Sequence, residues 1–187
     1  MKKLRRFHNN EAQHSFYEHH FSHRSHESHI SRVEHTIKIG QGLIDRVGIK
    51  TIADFSAGDR AIVMGLAGYE EAWLSDYSDD GVDILDRLRE DTRTYDLFVC
   101  TETIEHVEQP WTLLEEIAKR TTWILLSTPL DEDPTENNWE HYWSFGADDV
   151  DDLLTQAGFD WSVVNVFKPA TGPYTYQIWI AHSEEVA

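Results

Sequence analysis

Glu102, Glu105 and His106 stand together in the run Thr101-Glu102-Thr103-Ile104-Glu105-His106-Val107. Two carboxylates and an imidazole can donate to a divalent cation, and the imidazole can also accept a proton near neutral pH. The apolar segment 95–100 precedes them and reads as a buried strand, so the three groups sit at its carboxyl end. In open α/β sheets, ligands bind outside that end of the strands.

The elements that must position these groups alternate along the chain. Ile30, Val33, Ile37, Gly40, Ile44 and Val47 recur at helical spacing and lead to a stop at Gly48. A short strand over 51–55 follows, then a helix opened by Gly58 through Ile62, Val63 and Leu66 to Gly68. Segment 72–75 reads as the next strand, and Val82, Leu85 and Leu88 as a short helix before the strand at 95–100. Pro110 suits the first turn of a helix carrying Trp111, Leu114, Ile117 and Ala118. A buried strand at 122–127, an acidic loop over 129–142 and a helix through Val150, Leu153, Leu154 and Ala157 to Gly158 come next. Two β-like runs, 161–167 and 174–181, close the chain.

This alternation implies an α/β fold with a doubly wound, mostly parallel sheet ending in an antiparallel hairpin. The expected organisation is one domain over 1–187, with an N-terminal helical extension over 1–48 and a Rossmann-like core over 49–187. The chain has 187 residues, 40% of them hydrophobic and 12% aromatic, enough for one sizeable core. A single Cys, Cys100, lies in an apolar strand, which excludes a disulfide framework and suits a reducing cytoplasm. The basic start is followed by no apolar run, and no segment reaches membrane-spanning length. A net charge of −18 opposes binding to duplex nucleic acid and leaves a small molecule, or the end of a nucleic acid, as partner.

The segment 54–60, Asp-Phe-Ser-Ala-Gly-Asp-Arg, resembles the cofactor loop of class I S-adenosylmethionine-dependent methyltransferases. Gly58 is kept, while Ser56 and Arg60 stand where that family has its first and last glycines. Further matches follow in order: Asp76 and Tyr77 after the second strand, the 95–107 run, 124–129, 141–145 and Gly158-Phe159. The likeness covers about 26–181 and is nearest to compact, bacteriophage-like versions and to ubiquinone-biosynthesis O-methyltransferases (type 11). A phage-encoded protein would work in the cytoplasm of its host.

The resemblance implies S-adenosylmethionine as cofactor, held by Asp54, Ser56, Ala57, Gly58, Asp76, Tyr77 and Thr101. Asp76 is expected to accept hydrogen bonds from the ribose hydroxyls. Only 18 residues separate Asp76 from Tyr95, so the family's third strand is expected to be missing or shortened. Small-RNA 2′-O-methyltransferases pair a Glu-x-x-Glu-His run with a later His around one metal ion. That likeness makes Glu102, Glu105, His106 and His141 a candidate set for magnesium, manganese, cobalt or zinc. Without a metal, His106 or His141 is a candidate general base, and a third reading gives these residues only a pocket-shaping role.

The implied reaction is O-directed methylation of a small molecule or terminal sugar hydroxyl. A catalytically silent domain that binds cofactor or protein partners is the alternative, suggested by Ser56 and Arg60. Trp139, Tyr142 and Trp143 are candidates for the walls of an acceptor pocket or for loop packing. His20, His23, His26 and His29 recur every three residues, which spreads them around a helix and favours a solvated or lid-forming segment over a metal cluster. In a lid, Tyr17, Phe21 and His29 would face the cofactor.

Overall fold

The computed structural model of the chain describes residues 1–4, 26–133 and 141–184. Tyr17, His20, Phe21, His23, Trp139 and Glu140 lie outside the described residues. The strands are β1 (Lys2–Lys3), β2 (Thr51–Asp54), β3 (Glu71–Leu74), β4 (Tyr95–Thr101), β5 (Thr121–Pro129), β6 (Trp143–Ser144), β7 (Trp161–Phe167) and β8 (Tyr176–His182). The helices are α1 (Glu27–Val47), α2 (Ala61–Gly65), α3 (Tyr77–Asp80), α4 (Ile84–Glu90), α5 (Pro110–Ala118) and α6 (Ala147–Ala157), with a 3₁₀ turn at Ile104–His106.

Six strands form the main sheet in the order β3-β2-β4-β5-β8-β7. The pairs from β3 to β5 are parallel, and β8 runs antiparallel to both β5 and β7. This is the expected doubly wound sheet with a closing hairpin. The segment between Asp76 and Tyr95 holds only α3 and α4, so β3 is the sheet edge and the expected third strand is missing.

Each central strand is buried on both faces, and alternation divides its side chains between two cores. Leu97, Val99 and Leu125 point to one face, where Leu43 and Ile44 of α1 and Ile62 and Val63 of α2 cover them. Phe98, Cys100, Ile124 and Leu126 point to the other, under α4, α5 and α6. Cys100 is a core residue, as expected, and burial pushes its thiol up.

α1 is a structural layer as well as an N-terminal extension. A Cβ on Gly40 would come within 2.9 Å of Leu125 Cδ2, so glycine lets the helix lie close on β5. The buried line of α1 is Arg32, Thr36, Gly40, Leu43 and Ile44. The apolar line expected from sequence shares Gly40 and Ile44 with it, Val33 and Ile37 pack against the same core, and only its ends, Ile30 and Val47, are exposed. Arg32 and Thr36 are buried beside this line, and Thr36 Oγ1 donates to Arg32 O at 2.9 Å within the helix.

A second, two-stranded sheet pairs Lys2 with Ser144 and Lys3 with Trp143. Leu4 N–H adds a bond of 2.8 Å to Tyr142 O, so this strand supports the segment carrying His141.

Candidate active site at the carboxyl ends of the strands

The loop after β2 is organised by two aspartates. Asp54 is buried, and its Oδ1 accepts from Ser56 N–H at 3.0 Å. Burial raises its pKa to about 7; the Ser56 N–H partly opposes this rise, and the Asp76 charge adds to it. Ser56 Oγ lies 2.7 Å from Thr103 Oγ1, which links the β2 loop to the one after β4. The serine hydroxyl thus provides a tie that glycine lacks.

Asp76 Oδ2 accepts from Gly58 N–H at 2.9 Å, while its Oδ1 accepts from Ser78 N–H and Oγ. It caps α3 in a reciprocal box with Asp79, and so ties the β3 end to the β2 loop. Both carboxylate oxygens are already engaged, a structural duty beside the expected ribose contact. Tyr77 begins α3 beside it, and Ala57 N–H bonds to Ser75 O at 3.0 Å.

Gly58 has φ 50°, and a Cβ there would meet nothing within 4 Å. Glycine is therefore required for backbone conformation rather than for space. Arg60, at the third glycine position, has φ 64° and keeps the left-handed backbone that a glycine would favour. Its guanidinium bonds to Asp79 at 3.1 Å.

β4 ends at Thr101, in register with Ser127 of β5. Glu102 follows with φ 52°, a strained conformation for a side-chain-bearing residue. Its N–H bonds to Ser127 O at 2.9 Å, and its Oε1 accepts from Ser127 Oγ at 2.8 Å. The turn then buries Glu105 completely. Glu105 Oε2 accepts from Thr128 Oγ1 at 3.0 Å, whereas buried Oε1 has no hydrogen-bond partner among the described residues. Burial, then the neighbouring Glu102 charge, holds Glu105 well above the usual carboxylate range.

One ligand atom each from Glu105, His106 and His141 lies within 4.8 Å of the other two. The rings of His106 and His141 meet edge to face, with centroids 4.7 Å apart. The structure thus brings together three of the four candidate ligands. Glu102 is directed to Ser127 and lies outside the trio.

Glu132, which sequence reasoning missed, stands behind His141. Its buried Oε2 lies 2.5 Å from His141 Nδ1. A carboxylate only accepts, so this contact puts the proton on Nδ1 and makes Nε2 the basic nitrogen. In the sequence Glu132 is one of several acids in the loop over 129–142 and nothing sets it apart. Arg32, Thr103, Ser127, Thr128 and Tyr176 are further site residues visible only in three dimensions.

Tyr142 and Trp143 belong to the packed core, and Trp143 Nε1 donates to Val107 O at 3.0 Å. Their place is loop packing rather than a pocket wall. His26 is the N-terminal cap residue of α1, and His29 Nε2 lies 3.7 Å from Asp59 Oδ2 beside the β2 loop.

No protein-family model and no curated protein sequence matches the chain. Solved structures do. The N-methyltransferase NodS from Bradyrhizobium japonicum WM9, in complex with S-adenosyl-L-homocysteine, has a TM-score of 0.64 at 15% identity, covering 88% of this chain and 92% of that one. Magnesium protoporphyrin IX methyltransferase (ChlM) from Synechocystis PCC 6803, with bound S-adenosylmethionine, scores 0.60 at 13% identity, covering 83% and 80%. The N-terminal domain of EvdMO1, in the presence of S-adenosyl-L-homocysteine and D-fucose, scores 0.57 at 14% identity, covering 86% and 84%. The chain has the Rossmann-like fold of class I S-adenosylmethionine-dependent methyltransferases. Among the described residues, no helix is long and apolar enough to cross a membrane.

Proposed function

We propose that this protein is an S-adenosylmethionine-dependent methyltransferase that acts on a hydroxyl of a small molecule or terminal sugar. The observation that carries this reading is the meeting of the β2 loop with the Glu105–His106–His141 trio at the strand ends. The residues present fit the cofactor: the space before Gly58 is open, and the carboxylates of Asp76 and Glu102 give the loops negative potential. That potential favours a ligand carrying a sulfonium and an ammonium. Asp54, Ser56, Ala57, Gly58, Asp76, Tyr77 and Thr101 would hold it. When bound, the cofactor supplies an electrophilic methyl group.

This chain's own part is to place and deprotonate the acceptor. His141, oriented by Glu132, offers Nε2 as a general base, and His106 stands against its ring. A hydroxyl is a poor nucleophile at neutral pH, so a base at this point would raise its reactivity in an in-line displacement.

The second reading places a divalent cation on Glu105, His106 and His141. The buried, unpartnered Glu105 Oε1 favours it. A cation there would lower the pKa of the hydroxyl and orient it. Calorimetry with manganese or zinc on wild type and Glu105→Ala tests this directly: saturable binding lost in the variant supports it, and full activity in chelator removes it. The general reading is tested by labelled methyl transfer to phenolic, sugar and amine acceptors. Transfer to hydroxyls, reduced about 100-fold or more in His141→Ala, is expected; transfer confined to amines contradicts it.

A further inference from the structure

Arg32 is 8% exposed, in the first half of α1. Its Nη2 lies 3.3 Å from His29 Nδ1, and its Cζ lies 5.7 Å from the centre of the Tyr176 ring. Nη1 is buried and meets no hydrogen-bond partner among the described residues. A buried guanidinium donor without an acceptor is costly, and a fork of parallel N–H groups suits a bidentate oxyanion. Glu105 does not satisfy it, since its Oε2 is taken by Thr128 and its Oε1 is also without a partner.

Arg32 stands between the β2 loop, which it reaches through His29, and the start of β8. Tyr176 begins β8 and stands opposite Pro129 at the end of β5. In the sheet order, β4 and β5 lie between β2 and β8, so the strands are roughly 14 Å apart at ~4.8 Å per step. His29, one turn earlier on α1, lies between the two, with Nδ1 towards Arg32 and Nε2 towards Asp59 of the β2 loop, so Tyr176 marks the side of Arg32 that faces away from that loop. Tyr174 and His141, with ring centroids 6.0 Å apart, flank the β8 side.

We propose that Arg32 recognises an oxyanion group, a carboxylate or phosphate, carried by the methyl acceptor that enters between α1 and the start of β8. This rests on the methyltransferase reading and narrows the acceptor to an anionic hydroxyl compound.

The full chain is first saturated with S-adenosyl-L-homocysteine and then titrated with sodium formate or inorganic phosphate at constant ionic strength, followed by ¹⁵N-resolved NMR. The expected result is a saturable shift at residues 29–33 and Tyr176, with millimolar affinity. Arg32→Gln should weaken it at least about tenfold and leave homocysteine-cofactor affinity within about twofold. Arg32→Lys, which keeps the charge, should restore it only in part. The anion that saturates at lower concentration identifies carboxylate or phosphate. The proposal is overturned by no saturable shift at about 50 mM of either anion. It is equally overturned if a folded Arg32→Gln loses cofactor-product affinity, because Arg32 would then hold the cofactor itself. Failure of the wild type to bind S-adenosyl-L-homocysteine is read before any anion is added. That outcome removes the methyltransferase reading and this inference together, whereas an anion failure alone removes only this inference.

Discussion

The Glu132 carboxylate and the His141 imidazole form a buried pair, with Oε2 and Nδ1 2.5 Å apart. Nothing in their nine-residue separation marks them as partners, yet the pair sets the tautomer of the residue best placed to act as base. Glu132→Gln should lower acceptor turnover about 10–100-fold, by analogy with other carboxylates that orient an imidazole. Cofactor-product affinity should stay unchanged, because the Glu132 carboxylate is directed to His141 and not to the β2 loop residues assigned to the cofactor. Comparison of kcat, KM and cofactor Kd checks this. Equal losses in all three would mean that Glu132 only holds the fold.

Asp54 gives the unliganded protein a defined pH response. Its native pKa of about 7 lies above its ordinary value of 3.8, chiefly through burial. The native state therefore keeps this proton over a window where the unfolded chain releases it. The resulting stability is fully present below the unfolded value and is lost as pH rises towards 7, on the order of a few kcal/mol. Urea midpoints at pH 5 and pH 8 should differ in that direction, and Asp54→Asn should flatten the difference.

Asp76 joins two elements, so its removal should have two separable effects. Asp76→Ala loses the α3 cap and the Gly58 N–H bond, with a cost of about 1 kcal/mol in stability. If Asp76 also meets the ribose, cofactor-product affinity should fall more than tenfold beyond that. Chemical denaturation and calorimetry on the same variant separate the two. A stability loss with unchanged affinity would leave Asp76 as a cap alone.

Arg60 occupies a left-handed backbone that glycine adopts without strain. Arg60→Gly should therefore stabilise the protein by up to about 1 kcal/mol. The exposed Arg60–Asp79 pair that it removes is worth less than that. An unchanged or lower denaturation midpoint would show that the arginine side chain contributes more than its backbone costs.

Much of the sheet was legible because its strands are short apolar runs separated by Gly and Pro signals. Set against the resembled family, the 18-residue gap between Asp76 and Tyr95 foretold the missing strand. Legibility failed where side chains act across the fold. Apolar periodicity found Val33, Ile37, Gly40 and Ile44 on the core side of α1, but gave no sign that the polar Arg32 and Thr36 are buried beside them. Glu102 and Glu105 looked equivalent in sequence; one residue in left-handed backbone sends Glu102 to Ser127, while the 3₁₀ turn buries Glu105. The two-residue strand at Lys2–Lys3 is too short and too polar to carry a pattern, and only its pairing with β6 reveals it.

The most direct test of the central claim is calorimetric titration of the purified chain with S-adenosyl-L-homocysteine. One saturable site with affinity on the order of micromolar is expected, weakened at least tenfold in a folded Gly58→Val variant, whose β-branched side chain opposes φ 50°. No heat of binding at millimolar ligand would contradict the account.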